Sequence, residues 1–107
     1  MSETFKRILT LVQNGDVHVS EHGYDEMVAD VLGVREIIAG LSAGIVIEDY
    51  PKYGKGPCVL ILQRDREGNL IHVVWGIPKG KNSPAVLVTA YRPDPGRWSN
   101  DFRRRKI

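Results

Sequence analysis

A chain of 107 residues with 42% apolar side chains can build one modest core but not two, so a single domain over residues 1–107 is expected. One cysteine, Cys58, excludes an internal disulfide and a cysteine-built metal centre, and no apolar run is long enough for a signal peptide or a membrane span. A cytoplasmic protein without membrane contact is the expectation.

The net charge of +2 hides an asymmetry. Residues 1–50 hold nine acids and three bases, whereas residues 51–107 hold twelve bases and four acids. A surface built from the second half would attract polyanions.

Phe5, Ile8, Leu9 and Val12 recur at helical spacing and predict a first helix over residues 1–15 that Asn14-Gly15 ends. Val17-His18-Val19 alternates and suits a very short strand. Ser20 is a candidate N-cap for a second helix carrying Tyr24, Met27, Val28 and Val31, with Glu21 favourable at its positive end. Val34, Ile37, Ile38 and Leu41 predict a third helix that stops at Gly44.

From Ile45 the pattern changes to short apolar runs. Strands are expected at Ile45–Asp49, Val59–Leu62, Leu70–Ile77 and Ala85–Tyr91. A five-residue connection, Asp65 to Asn69, makes the middle two antiparallel, and polar loops at 51–57 and 78–84 join the others. Pro93-Asp94-Pro95-Gly96 ends the last strand, and a basic tail, Arg103-Arg104-Arg105-Lys106, follows Trp98 and Phe102. Helices followed by strands imply an α+β fold, with the N-terminal helices on one face of a four-stranded antiparallel sheet. Alternation assigns Ile71, Val73, Trp75 and Ile77 to the core, with His72 opposite. In the last strand Val86, Val88 and Ala90 make the better core set, which puts Thr89 and Tyr91 on the open face with His72.

That open face gathers the candidate chemistry. His22, in the first turn of a helix, is placed to stay neutral and serve as a base. His72 interrupts an apolar strand, and Tyr91-Arg92 offers a phenol and a guanidinium at the sheet edge. Each also has an ordinary structural reading: a helix-start residue, a satisfied core histidine, a sheet-anchoring tyrosine, an ion-paired arginine. His18 and His22 share a metal-ligand spacing, but the helix starting at Ser20 excludes His18, so neither metal nor cofactor is expected. Metal-free RNA cleavage needs a base for the 2′-OH, an acid for the leaving oxygen and cations for the phosphorane, and His, Tyr, Arg and Lys suffice.

The segments His18-Val19-Ser20-Glu21-His22-Gly23, Gly44 to Pro51, Cys58 to Leu62, Leu70 to Trp75 and Thr89 to Trp98 together resemble a small bacterial family of uncharacterised domains. The pattern looks like part of the wider RelE/BrnT-like toxin superfamily and covers roughly residues 16–98; the first helix and the tail, residues 99–107, lie outside it. The resemblance implies a RelE-like α+β fold and an endoribonuclease paired with an antitoxin. It supports His22, His72, Tyr91 and Arg92 as the family-pattern polar residues, and these are the expected catalytic set; Arg64, Thr89, Lys52 and Lys55 are the expected substrate-binding residues. Glu26 and Asp30 depart from the family's arginine-containing helix: an acidic helix would repel RNA, so either it faces away from the site or the nuclease reading fails. The expected function is therefore a toxin-like, metal-independent endoribonuclease acting on RNA, free or on the ribosome. The alternative is a non-catalytic RNA- or protein-binding module using the same face.

Overall fold

The computed structural model describes residues 2–106. Its elements are α1 (Glu3–Gln13), β1 (Val17–Val19), α2 (Glu21–Ala29), α3 (Val34–Gly40), a 3-10 turn (Leu41–Ala43), β2 (Ile45–Tyr50), β3 (Cys58–Arg64), β4 (Leu70–Gly76) and β5 (Ala85–Tyr91). The expected α+β class holds, but the sheet has five strands and is mixed, not four-stranded and antiparallel. Its order is β1-β5-β4-β3-β2, with β1 parallel to β5 and the other pairs antiparallel. The short Val17–Val19 segment joins the sheet because its flanks take backbone bonds from the far strand: Ala85 N donates to Asp16 O at 3.0 Å and Ser20 N to Leu87 O at 3.0 Å.

The three helices share one core with one face of the sheet. Ile8, Met27 and Ile37 bury completely or nearly so against Ile61, Ile71, Val73, Trp75 and Leu87. β4 follows the expected alternation. β5 does not: Val74 faces Thr89 and Trp75 faces Leu87, which leaves Val88 as an extra, bulged residue. The bulge reverses the faces on one side of it, so Ala85 and Leu87 join Ala90 in the core while Val86 and Val88 turn to the outer face with Tyr91. The core set expected for this strand is corrected accordingly.

Ser20 holds the bulge. Its Oγ accepts from Gly23 N at 2.9 Å, capping α2, and donates to Val88 O at 2.8 Å. Gly23 permits the approach, because a Cβ there would stand 2.4 Å from Val88 O. The expected helix cap is thus also a tether between α2 and β5.

The tail is not a free arm. Residues 97–106 fold back on themselves, with Ser99 N donating to Arg104 O at 2.8 Å and Lys106 N to Arg97 O at 2.8 Å, and they form a strap rather than the short C-terminal helix that the spacing of Trp98 and Phe102 allows. No helix of the described residues is long and apolar enough to cross a membrane.

Gly23→Ala forces a carbon onto a carbonyl oxygen that has no room to retreat, and is expected to destabilise the fold by about 3 kcal/mol. Urea unfolding would show this as a lower midpoint with an unchanged slope.

Candidate functional site

Pairing across the sheet defines the outer face in three rows: Ile45, Leu62, His72 and Tyr91; then Glu48, Leu60, Val74 and Thr89; then Tyr50, Cys58, Gly76 and Val86. The strap closes over part of this face. His72, Leu60 and Leu62 are buried although no helix lies on their side. Trp98 packs edge-on against the His72 ring with centroids 4.3 Å apart, and Tyr91 flanks the same ring at 5.4 Å. His72 Nε2–H donates to Phe102 O at 2.8 Å. Phe102 reaches this position in the left-handed region, φ +59°, a strained state for a bulky residue that aims its carbonyl at the imidazole.

Glu48 anchors the other end. A second bulge, between Val46 and Glu48, sets its carboxylate on the outer face, where Arg105 Nε and Nη2 grip it at 2.7 and 3.0 Å and the Tyr50 hydroxyl donates at 2.9 Å. The Arg105 bond holds the Glu48 carboxyl below the ordinary range, and the same contact raises Arg105 further. Arg105 also lies 4.8 Å from the Trp98 ring centre. Burial pushes the Tyr91 phenol up. Burial lowers His72, against the opposing pull of the Phe102 bond. His72 is accordingly neutral, with Nδ1 enclosed and unpartnered.

The predicted catalytic set is not assembled. His72 and Tyr91 meet, but His22 lies on the solvent side of α2 in the helix layer, 3.5 Å from Glu26, while His72 points out of the opposite sheet face. The Arg92 backbone N–H donates to Asp30, and its guanidinium to Asp65 at 2.8 Å. That bond leads the causes holding the Asp65 carboxyl low. Arg64 closes the β3–β4 hairpin by donating to Gly68 O at 2.7 Å. Thr89 is half-buried on the outer face. Among the described residues no group of histidine, cysteine and acidic side chains converges on a metal position.

Beyond the strap the same face opens into an apolar hollow of about 320 Å³ floored by Val74, Gly76, Val86 and Val88 and walled by Cys58 and Tyr53. Burial pushes the Cys58 thiol up, so it lines the hollow as a small apolar group. Two loops frame it and bind each other: Ile77 N donates to Pro57 O at 3.0 Å and Lys79 N to Lys55 O at 3.1 Å. Gly56 permits this, since its φ is +120° and a Cβ would lie 2.1 Å from Ile77 O. The loops carry Lys52, Lys55, Lys79 and Lys81, all exposed, and no acid. None of the four has an ion-pair partner among the described residues.

A family model described as "Domain of unknown function (DUF4258)" matches residues 19–92. The chain belongs to this family. No curated protein and no solved structure matches it. The matched stretch of the DUF4258 domain contains Ser20, Gly23, Glu48, His72 and Tyr91, whereas Trp98, Phe102 and Arg105 of the strap lie beyond it. Sequence reasoning missed Glu48 and Arg105. The signal available was Trp98 and Phe102 in an otherwise basic tail, two aromatic side chains that a solvated arm does not need.

The lowered His72 gives a pH dependence with a definite sign. The unfolded imidazole binds a proton near pH 6.5 and the folded one only below that, so stability is full above about pH 7 and falls toward pH 5 by at most about 1.4 kcal/mol per pH unit. The lowered carboxyls of Glu48 and Asp65 act in a separate window, below about pH 4.5. Denaturant titrations of the parent and of His72→Phe should therefore diverge between pH 7 and 5, with the variant flatter.

Proposed function

We propose that this DUF4258 domain binds single-stranded RNA across its outer sheet face. The observation that carries the reading is the set of four unpaired lysines on two interlocked loops beside an apolar hollow with an exposed tyrosine, Tyr53. Single strands are held by cations that follow the phosphates and by apolar or aromatic surfaces that take the unstacked bases. On the same side of the sheet, the strap adds the exposed cations Arg103, Arg104 and Lys106. The acidic helix that would repel RNA belongs to the other layer, as this reading requires. The choice of RNA over other polyanions rests on the resemblance to RelE/BrnT-like toxins read in the sequence, which the family match does not itself carry.

Binding suits the geometry better than turnover. Both Glu48 oxygens are occupied, His72 Nε2–H is bonded to Phe102 O, and Nδ1 has no access to solvent. A toxin-like endoribonuclease remains the second reading, favoured by one observation: the enclosed His72 Nδ1 is a free base beside the Tyr91 phenol once the strap lifts.

Fluorescence anisotropy with a labelled single strand of about ten nucleotides tests the proposal. The expected slope of log affinity against log salt is about −3, and each lysine-to-alanine change should make it shallower by about 0.7. Tyr53→Ala should cost about 1–3 kcal/mol at constant salt. Binding that is absent, or unchanged when all four lysines are replaced, would overturn the reading. The same mixtures, run in chelator with and without ribosomes beside a His22→Ala, His72→Ala double variant, report cleavage. Fragments with 2′,3′-cyclic ends made only by the parent would establish the nuclease.

A further inference from the structure

We propose that the solvent face of α2 is a docking surface for an amphipathic helix of a partner protein whose apolar stripe is bordered by lysine or arginine. This surface belongs to the helix layer and is independent of the RNA reading.

Three large apolar side chains stand out from the helix and its end at spacings of four and three. Tyr24 is 57% exposed, Val28 59% and Val31 84%. Tyr24 and Val28, four apart, form a stripe on one helical face, and Val31 stands exposed just past the cap. The buried side of the helix carries Gly23 and Met27 instead, so the stripe contributes little to this chain's own core.

The end of the helix gives an independent reason. Leu32 N donates to Met27 O at 2.8 Å and Val31 N to Val28 O at 3.2 Å, the bonding of a Schellman stop, and the residue after the cap takes φ +56°. Glycine is the usual choice there, and a β-branched residue is strained. Phe102, the other left-handed residue that is not glycine among the described residues, has its strain offset by the hydrogen bond to His72. At Val31 the turn is held by those two main-chain bonds and by the buried Leu32 that follows, none of which uses the Val31 side chain: glycine would serve them without strain, and the valine side chain stands in solvent. An apolar group held out at a conformational cost has its use in an interface.

Charge selects the occupant. Glu21 and Asp25 border the stripe, Glu26 lies beyond them, and α2 contains no lysine or arginine; past its end, Arg66 and Arg92 stand near Val31 among the acids Glu36, Asp65 and Glu67. A two-fold contact between copies would set the same acids against each other, and an anionic lipid surface would be repelled. A helix with cations beside its apolar stripe satisfies both features.

The probe is a synthetic amphipathic peptide of leucine and lysine about five helical turns long, with a leucine–glutamate counterpart, titrated while backbone amide shifts are followed. The lysine peptide should shift amides between Tyr24 and Leu32, and the glutamate peptide should not. Val28→Ser and Val31→Gly should each weaken binding by about tenfold. Val31→Gly should at the same time raise the thermal midpoint, because it removes the strain, so weaker binding cannot be blamed on unfolding. The proposal fails if neither peptide binds, if the shifts map elsewhere, if both variants bind as the parent does, or if Val31→Gly lowers the midpoint. Self-association of the parent that both substitutions abolish would also overturn it, by assigning the face to a second copy.

Discussion

The contact on which the arrangement of this domain turns is the hydroxyl of Ser20 between two backbones. It accepts from Gly23 N and donates to Val88 O, so one side chain both starts a helix and receives the carbonyl of a bulged strand residue. A bulge frees a carbonyl from the ladder, and a buried carbonyl without a donor is costly. With that carbonyl satisfied, β5 keeps its extra residue, and the faces of the strand exchange at Val88. Ala85 and Leu87 then fill the core, while Val86 and Val88 floor the hollow. A one-residue change of register would undo both at once.

This explains which parts of the fold were legible in the sequence. Helices at Phe5–Val12 and Val34–Leu41, the cap at Ser20 and the hairpin at Asp65–Asn69 are set by neighbours a few residues apart, and local spacing is enough to read them. Val73 and Trp75 in β4 follow simple alternation. β5 could not be read so, because its bulge is accommodated by a residue 68 positions away. β1 is similar: three residues make no sheet alone, and Val17–Val19 is a strand only because β5 offers an edge.

The outer face shows the same division. His72, Tyr91 and Thr89 were correctly grouped there by alternation, yet their chemistry depends on a segment that composition describes as a basic arm. Arg105 finds Glu48 across 57 residues, and Phe102 finds His72 across 30. These bonds convert an exposed histidine into a buried neutral one, and Arg92 is similarly engaged by Asp30 and Asp65. Two of the polar residues most suggestive of catalysis, His72 and Arg92, are therefore consumed by the fold, whereas His22 is left exposed in the other layer. The lysines, unremarkable as a sequence pattern, are the ones it leaves free.

The charge asymmetry along the chain becomes a division between layers. Most N-terminal acids lie in the helix layer, with Glu21, Asp25 and Glu26 on α2 and Glu48 and Asp49 on β2 as exceptions, and most C-terminal bases lie on the two loops and the strap, with Arg64, Arg66 and Arg92 at the hairpin end as exceptions. The contacts that cross between the halves, the Glu48–Arg105 ion pair and the hydrogen bond from the Arg92 backbone N–H to the Asp30 carboxylate, act as local fasteners and neutralise few of the remaining charges. At a Debye length of about 8 Å, two faces separated by a sheet and its core act on their surroundings almost independently. One small domain can then present an acidic, apolar-striped helix to a cationic partner and a basic face to a polyanion without either field cancelling the other.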